Sequence, residues 1–175
     1  IAACTALGLI AAIAITFTTT PTYESQSQIF VSTPASTLDI SALATGSSFS
    51  QQRVKSYAQI VNSPMTLKPV IEQLGLNMTP EELGGMISAS APLDTVLISL
   101  TVKDTDPQRA ADIANAVADQ FGVTVGDLEL HGIGIDSPVK VSTVKDAIPA
   151  GAPASPKKAI NLALGLLLGF VLGFG

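Results

Sequence analysis

Cysteine and histidine are almost absent from this chain, which has one residue of each type among its 175. The single cysteine, Cys4, cannot build a disulfide framework, and it stands in an apolar stretch where it serves as a small hydrophobic residue. The single histidine, His131, lies among glycines and has no neighbouring ligands at metal-binding spacing, so we interpret it as a residue of a bend. No metal site is expected.

Aromatic and charged residues are also scarce. The chain has no Trp, aromatic residues make up 5% of it, and charged residues make up 13%. Its formal net charge is −5, and no basic cluster occurs that could bind nucleic acid. The shortage of aromatic side chains leaves no obvious platform for stacking bases or sugars.

Catalytic and cofactor motifs are missing as well. The stretch GIGID lacks the third glycine and the strand-to-helix setting of a dinucleotide fingerprint, and no GxxxxGK loop occurs. We therefore expect no catalytic, cofactor-binding or metal-binding residues here and no enzyme activity from these residues. Whether the full chain continues into a kinase domain is a separate question.

Two long apolar runs stand at the ends of the sequence. IAACTALGLIAAIAITF carries no charge, and neither does the stretch from Ala159 to Gly175. Each run approaches the roughly 20 apolar residues that span a bilayer. The sequence predicts transmembrane helices at residues 1–20 and 158–175, the second of them clipped, so a longer chain is expected.

The middle of the chain, residues 21–147, alternates between strand and helix patterns. Alternating residues predict a strand in TYESQSQIFV, branched residues predict one in DTVLISLTVKD, and PVKVSTVKDA predicts a third. Strands from the two ends of this region are expected to pair and to place the two apolar helices side by side. The fold class is therefore α+β, a small strand-and-helix domain between two membrane helices. The predicted order of the remaining segments is a loop at 34–48, a helix around 54–61, a helix at 64–74, a short helix from Pro80 ended by two glycines, a helix at 107–121 and a bend at 123–137.

Two helix starts carry specific capping signals. Asp106 is the predicted N-cap of the long helix, with Pro107 at its first position. Thr79 and Glu82 have the spacing of a capping box, in which each side chain binds the other residue's backbone amide. Both signals are structural.

A proline tether at residues 148–157 leads into the last apolar run. Pro149, Pro153 and Pro156 are expected to keep it extended and stiff, which would fix the angle of the domain over the bilayer. Within the run, glycines recur every four residues on one helical face and predict close helix packing, including contacts between protomers. These glycines are Gly165, Gly169 and Gly173.

The order of these features resembles the polysaccharide co-polymerase, or chain-length determinant (Wzz-type), family. The matching stretches are YESQSQIFV after the first apolar run, RVKSYAQIVNSPMTLKPVIEQLGL with TPEELGGMISAS, LISLTVKDTDPQRAADIANAVADQF, and PAGAPASPKKAINLALG. Only one helix separates the last two strands, so the chain resembles the compact form found in Gram-positive capsule and exopolysaccharide systems.

The resemblance implies a scaffold that regulates the length and export of a surface polysaccharide. It implies a two-pass protein of the cytoplasmic membrane, with the middle domain outside and both termini in the cytoplasm. The implied partners are further copies of the chain, a polysaccharide polymerase or exporter, a cytoplasmic tyrosine kinase in cis or in trans, and membrane lipid. Two alternatives are an extracytoplasmic ligand-sensing domain of a two-span receptor, which requires a ligand pocket, and a channel or transporter subunit, which requires polar residues along its spans.

Overall fold

The computed structural model describes residues 2–32, 54–92, 95–133 and 140–174. Along the chain, the helices are α1 (Ala2–Thr18), α2 (54–60), α3 (Pro64–Leu74), α4 (Pro80–Met86), α5 (Pro107–Ile133) and α6 (Lys158–Phe174). The strands are β1 (Tyr23–Ser32), β2 (Ile87–Ser90), β3 (Leu97–Asp104) and β4 (Lys140–Lys145). The loop predicted at 34–48 and the first residues of the last predicted strand lie outside the described residues.

The four strands form one antiparallel sheet in the order β2-β3-β1-β4. The first and last strands of the middle region pair directly, since Val31 lies opposite Val141. The sheet and its helices confirm the predicted α+β class. Among the residues described, no helix combines the length and the apolar character needed to cross a membrane.

The hydrophobic core lies between the sheet and α5, and α3 packs against α5 and α4. In β1, every second residue from Ser25 to Val31 is buried, as expected for a strand with one covered face. The largest side chain with no exposed surface is Phe121 of α5, and small residues around it let the helix lie close to the strands. The opposite face of the sheet remains open to solvent.

One predicted boundary was wrong, and one short strand was missed. The bend predicted at 123–137 is helical up to Ile133, because Thr124 and Val125 continue the buried face of α5 beyond Phe121. The helix α4 ends at Met86, directly after the glycine pair as predicted, and passes directly into β2. This strand was missed because its four residues, ISAS, are mostly small and polar.

Candidate functional site

The two apolar helices pack against each other over their length, antiparallel, with the end of α1 beside the start of α6. The contact is made by glycines. A methyl group built on Gly8 would meet the carbonyl oxygen of Gly165 and lie 3.0 Å from the Cα of Gly169. One built on Gly165 would meet the methyl group of Ala12 and lie 2.8 Å from the carbonyl oxygen of Gly8. The backbones are therefore too close for any larger residue at these positions.

A hydrogen bond between side chains joins the two helices at the end of the pair that is nearer the domain. The Nδ2 of Asn161 donates to the Oγ1 of Thr16 at 3.3 Å, and Thr16 is only 7% exposed. Hydrogen bonds between helices in apolar surroundings fix their register, because neither group has water as an alternative partner. Thr16 continues the four-residue spacing of Gly8 and Ala12, and Asn161 continues that of Gly165 and Gly169.

The predicted glycine face of α6 thus has a specific occupant. Gly165 and Gly169 contact α1 of the same chain, and Gly173 is half-buried near the end of α6. Within the chain, α1 occupies this face at Gly165 and Gly169, and contacts between protomers through the same glycines stay a prediction. The complementary residues on α1 were missed because their spacing, Gly-x3-Ala-x3-Thr, is less conspicuous than three glycines.

The segment from β4 to α6, residues 146–157 and here termed the exit segment, is bound to the domain near its start. The side-chain oxygen of Asn115 accepts from the backbone N–H of Ala147 at 2.7 Å, and its Nδ2 donates to the carbonyl of Ala147 at 3.0 Å. The Oγ of Ser25 donates to the carbonyl of Ile148 at 3.1 Å. Both α5 and β1 therefore hold the first residues of the exit segment.

A second attachment lies near the other end of the exit segment. The backbone N–H of Thr22 donates to the carbonyl of Ser155 at 2.9 Å, and the carbonyl of Thr22 accepts from Ala154 at 2.8 Å. Thr22 lies directly before β1, so the strand that leaves α1 is paired with the segment that enters α6. Together the two attachments couple the sheet to the helix pair.

The three predicted tether prolines lie between or beside these attachments. Pro149 and Pro153 are exposed, Pro156 is half-buried, and α6 begins at Lys158. The hydrogen bonds of Asn115 and Thr22 add to the stiffness that proline confers by fixing φ. The role of Asn115 was missed, although a single amide within an alanine-rich, buried helix face is a signal that could have found it.

The start of α5 combines a cap with an ion pair between the buried Asp104 and the half-exposed Arg109. Asp106 Oδ1 accepts from the backbone N–H groups of Gln108 at 2.8 Å and Arg109 at 3.3 Å, and Pro107 is the first helical residue. Asp104 is 3% exposed and accepts from Arg109 Nε at 2.7 Å and Nη2 at 2.6 Å. Asp104 also accepts from the backbone N–H of Asp106 at 2.9 Å.

This arrangement determines the ionisation of both partners. Burial raises the pKa of Asp104, but the hydrogen bonds from Arg109 and Asp106 and the charge of Arg109 outweigh burial, so the pKa of that carboxyl falls below its usual value. The hydrogen bond to Asp104 raises the pKa of the Arg109 guanidinium. The pair is therefore ionised at neutral pH and connects the end of β3 to the first turn of α5.

The predicted cap of α4 has both of its reciprocal bonds. The backbone N–H of Thr79 donates to Glu82 Oε2 at 2.8 Å, and the N–H of Glu82 donates to Thr79 Oγ1 at 3.2 Å. Pro80 occupies the first turn. These residues stabilise the start of α4.

A shallow depression lies between α2 and the edge of β2. Its wide mouth offers little enclosure, whereas small-molecule sites bury most of their ligand. The depression therefore gives no particular support to the alternative of a ligand-sensing receptor. Its lining residues are Lys55, Ala58, Gln59, Asn62, Ala89, Ser90 and Ala91.

Comparison with known proteins gives a consistent result. Residues 1–74 match the Wzz family, described as chain length determinant protein. Capsular polysaccharide biosynthesis protein CpsC of Streptococcus pneumoniae is 32% identical over 145 residues, which cover 81% of this chain and 58% of CpsC. The probable capsular polysaccharide biosynthesis protein YwqC of Bacillus subtilis (strain 168) is 29% identical, with coverage of 83% and 56%. Capsular polysaccharide biosynthesis protein CapA of Staphylococcus aureus is 27% identical, with coverage of 88% and 66%.

The chain thus spans less than two thirds of the length of these three relatives. The relationship to the Wzz-type chain length determinant family is confirmed, since residues 1–74 match that family and similarity to capsular polysaccharide biosynthesis proteins extends over most of the chain.

Proposed function

We propose that this chain is a membrane-anchored scaffold that regulates the length and export of a surface polysaccharide. The family match and the capsular relatives support the polymer class. In this proposal the chain acts as a homo-oligomer beside a polysaccharide polymerase or exporter. A cytoplasmic tyrosine kinase, in cis or in trans, regulates the assembly.

The outer surface of the helix pair supports membrane anchoring. Large apolar side chains on α1 and α6 point away from the contact between the two helices, and a surface of this kind is unfavourable in water. Each helix has 17 residues, or about 25 Å at 1.5 Å per residue, against a hydrocarbon core of about 30 Å. The exposed residues include Leu7, Ile10, Ile15, Phe17, Leu164, Leu167, Leu168, Val171, Leu172 and Phe174. Our proposal places both helices in the cytoplasmic membrane, the domain outside and both termini in the cytoplasm.

The observation that carries the scaffold proposal is the double attachment of the exit segment. Asn115 holds its start and Thr22 holds its end, so the domain has little freedom to rotate about the helix pair. A protein that regulates polymer length as an assembly needs its domains held at one angle and height. Fixed geometry of this kind lowers the entropy cost of ordering neighbouring domains.

The test is the length distribution of the polymer in cells that carry Asn115→Ala. Loss of both hydrogen bonds frees Ala147, so we expect a broadened or shifted distribution on gels of surface polysaccharide at matched protein level. Gln120→Ala is the matched control, because Gln120 is a half-buried amide on the same helix whose side chain forms no hydrogen bond to the described exit segment. Identical distributions for Asn115→Ala, Gln120→Ala and the parent would contradict the proposed role of the attachment. A deletion of the whole chain that leaves polymer length unchanged would contradict the function itself.

A further inference from the structure

We infer that the domains associate head to tail, with the exposed face of α5 in one protomer docked on the open sheet face of the next. This inference rests on the proposed function, which supplies a second copy of the chain in the same membrane plane. It names the contact surfaces, whereas the glycine face of α6 is occupied by α1 within one protomer.

The open sheet face has an apolar centre with positive charge beside it. Phe30 of β1 points away from the core and is 36% exposed. On the neighbouring edge strand β4, Lys145 lies opposite Gln28 and Lys140 lies opposite Ser32, one pair to each side of Phe30. Both lysines are exposed. The two outward pairs therefore place a cation on either side of the aromatic ring.

The exposed face of α5 has the complementary character. Asp112, Asp119 and Val123 recur at seven- and four-residue spacing, so they lie on one side of the helix. The two aspartates are exposed, and Val123 is 56% exposed although it is an apolar residue in the middle of a well-packed helix. This face of α5 thus has an exposed apolar side chain with acidic residues on one side. Their negative charge is opposite to that of the lysines around Phe30.

The two faces stand at the same height above the base of the domain. β1 and α5 rise from one level, because Tyr23 pairs with Asp104 and α5 begins at Pro107. Val123 is 16 residues along α5, or about 24 Å, and Phe30 is seven residues along β1, or about 23 Å. Asp119 is about 18 Å up the helix, and Lys145, opposite Gln28, is about 17 Å up the sheet. Protomers anchored in one plane can therefore bring both pairs together without tilting.

The contact has to be heterologous. The open sheet face and the exposed face of α5 lie on opposite sides of the same domain, so no two-fold axis brings the sheet of each protomer onto the helix of the other. Repetition of such a contact produces a ring when the rotation closes. A neighbouring protomer on each side then covers both exposed apolar centres.

Cysteine cross-linking in native membranes tests the geometry. In a Cys4→Ala background of the full chain, Phe30→Cys and Val123→Cys are combined, and disulfides are formed with a mild oxidant. A disulfide needs Cα atoms within about 7 Å, and within one chain these two residues lie on opposite sides of the sheet. We expect a ladder of dimers, trimers and higher species from the double variant and none from either single variant. Ser142→Cys with Val123→Cys retains Phe30, since Ser142 lies opposite Phe30 on the same face, and should give the same ladder.

A cysteine pair at unequal heights above the base of the domain is the control. Gln26 lies on the same sheet face as Phe30, four residues and about 13 Å nearer the base. Gln26→Cys with Val123→Cys should give at least tenfold less ladder. Equal ladders from this control, or dimers from a single variant, would overturn the proposed contact. The contact would also be overturned if no ladder formed in protein that retains a multi-protomer mass. The proposed function would still stand in that case if deletion of the chain altered polymer length.

Charge reversal tests the proposed pairing of Asp119 with Lys145. Asp119→Lys and Lys145→Glu should each reduce the Ser142→Cys/Val123→Cys ladder about fivefold or more, since like charges would meet at the contact. The two reversals together should restore the ladder to within about twofold of the unreversed pair. Additive losses without restoration would mean that these residues do not face each other.

Discussion

The carboxylate of Asp104 is buried, whereas the guanidinium of Arg109, which binds it through two nitrogen atoms, is about half exposed. The strand that carries Asp104 ends at this point and α5 begins three residues later. The ion pair therefore connects the first turn of α5 to the end of β3. Because α5 also carries Asn115, which holds the exit segment, one helix connects this ion pair to the segment that leads into α6.

Asp104→Asn should lower the free energy of unfolding by about 2–3 kcal/mol, because the amide retains the shape but removes the charge that two Arg109 nitrogens bind. The measurement is denaturant unfolding of the full chain in detergent micelles. Asp112→Asn, which changes an exposed carboxylate on the same helix, should stay within about 0.5 kcal/mol of the parent. Equal effects of the two variants would contradict the role of the buried pair.

The same pair predicts a pH dependence of stability. The pKa of Asp104 is lowered by folding, so its contribution is fully present above the ordinary aspartate pKa of about 3.9 and is lost as the pH falls through the lowered value. Below pH 4, the free energy of unfolding should fall less steeply with acidification in Asp104→Asn than in the parent. Parallel curves for the two proteins would show that Asp104 is not protonated in this range.

Gly165→Leu should separate α1 from α6, since even a methyl group there meets Ala12 and the backbone of Gly8. Overpacking of a close contact costs about 1–3 kcal/mol, so we expect a lower unfolding temperature in detergent micelles. Ala163→Leu is the control, because Ala163 is exposed on the same helix and the added side chain would point away from α1. If both variants unfold at the parent temperature, the helix contact is not the one described.

Replacement of Pro149, Pro153 and Pro156 by alanine should broaden or shift the polymer length distribution while changing the free energy of unfolding by less than about 1 kcal/mol per residue. The backbone bonds of Thr22 to the exit segment remain in this variant, so the effect isolates the stiffness of the prolines. A graft of unrelated rigid residues of equal length should restore length control. If the graft fails where proline succeeds, a specific contact with proline is the better explanation.

The proposed topology predicts that Glu72→Cys, an exposed position on α3, reacts with an impermeant thiol reagent on intact cells in a Cys4→Ala background. Ala163→Cys, within the proposed membrane helix, should stay unlabelled before lysis. Labelling of Glu72→Cys only after lysis would place the domain in the cytoplasm.

Local patterns in the sequence predicted the elements in which the order of apolar and polar residues reflects which side chains are buried. Alternation in β1, branched residues in β3 and the apolar face of α5 identified these elements, and the pairing of β1 with β4 followed from their positions at the two ends of the domain. Such patterns work because one buried face imposes a period of two on a strand and of 3.6 on a helix. The glycine spacing in α6 likewise indicated a close contact.

The partners of these elements were decided only in the tertiary structure. β2 is too short to carry a pattern of its own, and its pairing with β3 makes it a strand. Asn115 reaches Ala147 across 32 residues, and Gly165 meets Gly8 across almost the whole chain. A hydrogen bond or a backbone approach of this range depends on where the sheet places two distant segments. The sequence by itself therefore determined the apolar runs, the main helices and the strands β1, β3 and β4, while the tertiary structure determined β2 and which residues hold the domain to the helix pair.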